Sequence, residues 1–207
     1  MLSVTSLWLD GELSIVSDSN DSITVESDAA QQVVVKVNGV VDNSVPSIAA
    51  SDVRAIVVEG GDLGNRLDLR AISASAFSYT DPVTGDPMSI TIEGNNGDDV
   101  IYGSSGFGDV ISGGDGDDFI DGREGDDVIT GDDGNDSIYG QDGDDDISGN
   151  DGDDFVVGLA GDDVIDGGDG ADTLNGGDGD DVVSGGAHSA LSLIHISEPT
   201  RRYASSC

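Results

Sequence analysis

Along the second half of the chain the apolar positions recur every ninth residue. An Ile, Val or Leu stands at 101, 111, 120, 129, 138, 147, 156, 165, 174 and 183, and the residues between are mostly glycine and acid. An aliphatic with strand-forming neighbours, as in Val128-Ile129-Thr130, predicts a strand of three residues. The glycines ahead of it predict a tight turn. Strands that short cannot stand alone, and repetition at a short fixed period marks a solenoid. The expected fold over 94–186 is therefore all-β, with parallel strands stacked at roughly 4.8 Å and each pair of phrases forming one coil of a flattened spiral.

The polar positions of the phrase are as regular as the apolar ones. Its first residue is glycine in all ten copies: Gly94, Gly103, Gly113, Gly122, Gly131, Gly140, Gly149, Gly158, Gly167 and Gly176. The fourth is glycine as well, and both are expected to take positive φ or to allow close backbone approach. The sixth is always aspartate: Asp99, Asp109, Asp118, Asp127, Asp136, Asp145, Asp154, Asp163, Asp172 and Asp181. If phrases alternate sides, carboxylates two phrases apart face each other, from Asp99 with Asp118 to Asp163 with Asp181, in eight pairs. Like charges one sheet spacing apart repel unless a cation lies between them. A hard divalent cation such as calcium takes six to eight oxygens from carboxylates and backbone carbonyls, and glycine-rich turns expose carbonyls. The aspartates and the turn backbone of the first glycines are thus the candidate metal ligands, with about eight calcium ions as the candidate cofactor.

With those residues in view, the phrase resembles the RTX, or haemolysin-type, calcium-binding nonapeptide G-G-x-G-x-D-x-U-x. The resemblance implies a right-handed parallel β-roll that binds calcium between turns. It also implies a protein exported by Gram-negative bacteria, with type I secretion machinery as a partner. The departures are local. Position two is Gly only at Gly114, Gly168 and Gly177, Leu159 and Ala160 make one turn less polar, and the inserted Gly108 sets the Asp109 site apart.

Composition narrows the reading. The formal net charge is −36, a field that repels nucleic acid and anionic membranes. Glycine, aspartate and high charge alone would read as disorder, but disorder does not require an aliphatic at every ninth position. One main aliphatic per phrase makes a thin core, so calcium is expected to be the chief stabiliser. Extracellular calcium modules bind at roughly 10⁻⁴ to 10⁻³ M, so the chain is expected to fold outside the cell rather than in a low-calcium cytosol. No stretch is apolar enough to span a bilayer, and Met1 to Asp10 lacks the basic start and apolar run of a secretory signal. The sole cysteine, Cys207, forms no internal disulfide. Residues 1–186 hold no His and no Cys, which removes Ser-His and Cys-His nucleophile pairs and His/Cys zinc sites, so no enzyme is expected. The alternatives are the export and folding end of a larger secreted enzyme or toxin (a protease, lipase, cytolysin or epimerase), and an adhesin.

Residues 1–93 are poorer in glycine and carry β-rich runs at Leu13 to Val16, Ile23 to Val25, Val33 to Val37, Val53 to Val58 and Ile90 to Ile92. They read as irregular leading coils that cap the roll, or as a small β-sandwich, since Val33 to Val35 followed by Asn38-Gly39 also suits a hairpin. Gly61 to Leu69 reads as a degenerate phrase with Arg66 in the aspartate position and no metal. Residues 187–207 break the pattern and are expected to be disordered. Leu191 to Arg201, LSLIHISEPTR, resembles the in-frame translation of a transposase-based sequencing adapter, so this tail is expected to be non-native. An uncovered terminal coil would let copies associate end to end.

Overall fold

A computed structural model of the chain describes residues 4–9, 11–17, 20–28, 30–42, 48–73, 75–77, 88–186, 193–195 and 201–202, the first and the last two of these segments by backbone alone. In chain order the leading strands are β1 (Val4–Leu9), β2 (Glu12–Ser17), β3 (Ser22–Ser27), β4 (Val33–Val37), β5 (Val40–Val41), β6 (Ala55–Glu59), β7 (Arg66–Asp68) and β8 (Ser89–Asn96), which runs into the first repeat, whose own strand is β9 (Val100–Tyr102). The repeats supply β10 (Asp109–Asp115), β11 (Phe119–Glu124), β12 (Val128–Asp133), β13 (Ser137–Asp142), β14 (Asp146–Asp151), β15 (Phe155–Ala160), β16 (Val164–Asp169), β17 (Thr173–Asp178) and β18 (Val182–Ser184). Beyond them lie β19 (Leu193–His195) and β20 (Arg201–Arg202).

These strands build a parallel β-solenoid of two sheets. One sheet runs β1-β2-β6-β8-β10-β12-β14-β16-β18-β20, and the other β19-β17-β15-β13-β11-β9-β7-β3-β4-β5. From β8 onward successive strands alternate between the sheets, so each strand pairs with the strand two phrases away. Ile111 pairs with Ile129, Ile129 with Ile147, Ile147 with Ile165 and Ile165 with Val183. In the facing sheet Ile101, Ile120, Ile138, Val156 and Leu174 follow one another likewise. Every one of these side chains is at most 2% exposed. The core between the sheets is therefore a double column of single aliphatics, as the nine-residue period requires.

The repeat strands are longer than the three residues expected. In β12, for example, pairing runs through Gly131 to Asp132 and Asp133, which lie opposite Asn150 and Asp151. Ladder hydrogen bonds between coils hold residues whose own strand propensity is low.

Residues of the leading region join the same two sheets. β2, β6 and β8 stack in parallel, with Leu13 on Ile56 and Ile15 on Val58, then Ile56 on Ile90 and Val58 on Ile92. Each of these strands buries two aliphatics, where the repeat keeps one at its eighth position. At the junction the partner of Ile92 is Ile111, but the partner of Ile90 is Asp109. An inward position that is apolar upstream thus becomes a carboxylate downstream. The N-terminal end is closed by antiparallel pairs, β1 on β2 and β4 on both β3 and β5. Asn38 and Gly39, at φ 51° and 77°, make the two-residue turn between β4 and β5 that this sequence favours. Phe77 is fully buried in the shared core.

Asp81 to Pro87, DPVTGDP, which reads as a turn or short surface loop, lies outside the described residues. So does the tail from 187, except for β19 and β20, which pair in parallel with β17 and β18. No helix among the described residues is long and apolar enough to cross a membrane.

Candidate metal centre

The sixth residue of each phrase directly precedes its strand, or opens it at Asp109, and points inward. All ten aspartates are buried, at no more than 3% exposure. Because phrases alternate, the carboxylates fall into two columns: Asp99, Asp118, Asp136, Asp154 and Asp172 on one side, and Asp109, Asp127, Asp145, Asp163 and Asp181 on the other. The two members of each expected pair are joined by one hydrogen bond from backbone to carboxylate. The backbone N–H of each aspartate donates to Oδ1 of the aspartate one coil on, from Asp99 to Asp118 at 2.7 Å to Asp163 to Asp181 at 3.1 Å.

The other carboxylate oxygen has no such partner. Oδ2 of Asp99, Asp118, Asp127, Asp136, Asp145, Asp154, Asp163, Asp172 and Asp181 is buried and accepts no hydrogen bond. A buried charged oxygen without a donor carries a desolvation cost of several kcal/mol. Burial accordingly pushes these carboxyls up, to about 6 for Asp99 and Asp154 and about 7 for Asp118, Asp127, Asp136, Asp145 and Asp163. The donated backbone N–H offsets part of that rise, and neighbouring aspartates add to it. Asp172 and Asp181 are raised for the same first reason.

The orphan oxygens sit in a cradle that only glycine leaves open. A Cβ on Gly113 would lie 2.3 Å from Asp118 Oδ2, and one on Gly140 would lie 2.1 Å from Asp145 Oδ2. Of the two roles expected of the first glycine, the structure shows close approach and not positive φ. Left-handed backbone occurs instead at position four, as at Gly116 (φ 141°), and at position two. At position two it is taken by Asn95, Arg123, Asp132, Gln141, Asn150 and Leu159 as well as by glycine.

A further ladder was not anticipated from the sequence. The side chain at position five accepts from the backbone N–H of position five one coil on, as from Asn135 to Asp117 at 2.8 Å and from Asp162 to Asp144 at 2.8 Å. Its direction is opposite to that of the buried ladder, and its residues are exposed. The Asp-Asp doublets, such as Asp126-Asp127 and Asp144-Asp145, were its available signal.

The degenerate phrase is corrected by one residue. Leu67 pairs with both Ile23 and Ile101, which brings Asn65, not Arg66, to the aspartate position. The Asn65 N–H donates to Asp99 Oδ1, and Asp21 N–H donates to Asn65 Oδ1 at 3.1 Å. Arg66 lies on the outer surface beside Asp68, at 3.1 Å. Upstream, Asp21 is held by the Ser17 hydroxyl at 3.0 Å and by the Asn38 amide at 2.7 Å. This column therefore begins on protein donors.

Among the described residues no three His, Cys, Asp or Glu side chains converge as a metal cluster. The donor set offered to a cation is carboxylate oxygen together with the carbonyls of the stacked turns. Such an all-oxygen set, with buried unpartnered Oδ2 atoms, suits calcium.

Four copies of the RTX calcium-binding nonapeptide repeat match the chain, at residues 91–108, 104–138, 122–156 and 157–187. No curated protein and no solved structure matches it.

Proposed function

Residues 91–187 are RTX calcium-binding nonapeptide repeats, a structural rather than catalytic element, and from that premise we propose that the chain is a secreted module whose coils close on calcium. The observation that carries this reading is the set of nine buried, unpartnered Oδ2 atoms in two columns. Calcium held by same-column aspartates and the carbonyls of the first-glycine turns would supply the positive charge that those oxygens lack. About eight positions follow from the pairing of neighbouring carboxylates. In a cytosol poor in calcium the carboxylates repel and the repeats stay open, a state suited to passage through a type I export channel. Outside, calcium at roughly 10⁻⁴ to 10⁻³ M closes them.

The test is a calcium titration of the full chain followed by far-ultraviolet circular dichroism, with magnesium as control. A cooperative gain of β signal in the sub-millimolar to millimolar range is expected. Magnesium, which demands tighter octahedral geometry and gives up water reluctantly, is expected to leave the signal unchanged. A spectrum indifferent to calcium would overturn the proposal.

A further inference from the structure

One rung of the ladder is built differently. In the ten-residue copy 103–112 both oxygens of the Asp109 carboxylate are engaged. The Ser104 backbone N–H donates to Oδ2 at 2.7 Å, and the Ser104 hydroxyl donates to Oδ1 at 3.0 Å. The nine counterparts of Asp109 each keep a buried Oδ2 with no donor. Two local features accompany the difference. Position two is left-handed in the other nine copies, from φ 73° at Asn150 to 113° at Gly177, but not at Ser104. This copy also holds the extra residue Gly108, beside a Phe107 that is only 6% exposed. One coil upstream, the partner of Asp109 is Ile90, so Asp109 is the first carboxylate of its column.

We infer that Ser104 takes the place of the cation at this rung, so that the position between Asp109 and Asp127 is closed by hydrogen bonds and holds no calcium. The inference rests on the calcium reading of the other rungs. Two donors directed at the two oxygens of one carboxylate supply partial positive charge where a divalent ion would otherwise be needed. They also place a donor on Oδ2, the oxygen that every other rung leaves open. A hydroxyl at position two is not enough by itself, because the N–H must also turn inward, and it does so in the one copy whose position two is not left-handed. The second column thus starts on a metal-free clasp, as the first starts on Asn65 and Asp21.

The test counts bound calcium per chain by equilibrium dialysis and metal analysis of the full-length protein at saturating calcium. Ser104→Gly and Ser104→Asn restore residues found at position two of other copies, and each is expected to bind one ion more than the wild type. Asp109→Asn alone is expected to leave the wild-type number unchanged. Combined with Ser104→Gly, it should remove the gained ion. Equal numbers in the wild type and both Ser104 variants, or an ion lost from the wild type by Asp109→Asn, would overturn the inference while leaving the calcium reading intact. A wild-type chain that binds no calcium would instead overturn that reading.

Discussion

A methyl group at position one of a phrase would collide with the carboxylate that it faces. On Gly131 a Cβ would lie 2.2 Å from Asp136 Oδ2 and 2.8 Å from the Gly149 carbonyl oxygen. Gly131→Ala is therefore expected to destabilise the calcium-loaded chain by about 1–3 kcal/mol through overpacking. Leu159, held at φ 87°, points the other way, because a branched residue in left-handed backbone is strained. Leu159→Gly is expected to stabilise the chain by about 1 kcal/mol. Thermal denaturation at fixed calcium would check both, and a neutral Gly131→Ala would mean that the cradle relaxes. The sequence showed that these glycines recur, but not which need φ and which need space. That distinction depends on the next coil, two phrases away.

At the scale of the strand, alternation of inward and outward residues decides the cost of a change. Ile129 is fully buried, whereas its neighbour Val128 is 46% exposed. Ile129→Ala is expected to cost about 2–5 kcal/mol and Val128→Ala about 0.5 kcal/mol or less, as read from denaturant unfolding in calcium. Similar losses at the two sites would contradict the assigned faces. The inward aliphatic of each strand and the pairing of aspartates two phrases apart were legible from period alone. The full six-residue extent of the repeat strands was not, since glycine and aspartate carry no strand propensity and are held there by the ladder. The Asn65 register was missed by one residue because Gly60-Gly61 offers two starting glycines, and only the pairing of Leu67 chooses between them. On the outer face Tyr102, Phe119, Tyr139 and Phe155 climb from coil to coil with ring centroids 5.7–5.9 Å apart. The two aromatic residues at position seven and the two at position nine lie too far apart in sequence for a local pattern to join them.

For the molecule as a whole, proton and calcium compete for the same oxygens. Burial pushes Asp99 up to about 6 and Asp118 and Asp145 up to about 7 in the folded chain, against about 3.9 for an unperturbed aspartate. The folded state therefore binds protons more tightly than the unfolded one between those values. For the metal-free chain, this contribution to stability is fully present below about pH 4 and is lost as pH rises through 6 to 7. In chelator, acidification from pH 8 to pH 5 is expected to raise the β signal without metal. In calcium the same acidification is expected to weaken ion binding, since the ligand is the carboxylate. Circular dichroism at both pH values, with and without chelator, reads both effects, and no gain in chelator would mean that the carboxyls stay ionised.

The pairing of each strand with the one two phrases on imposes a rule of parity on the chain's length. Losing or adding a single phrase would send every later strand to the opposite sheet and exchange the two columns of aspartates. Losing or adding two would leave everything downstream in place and change the molecule by one coil, about 4.8 Å of height. Duplications and deletions that keep each later strand in its own sheet therefore lengthen or shorten the molecule in even steps, as on a ruler graduated in coils.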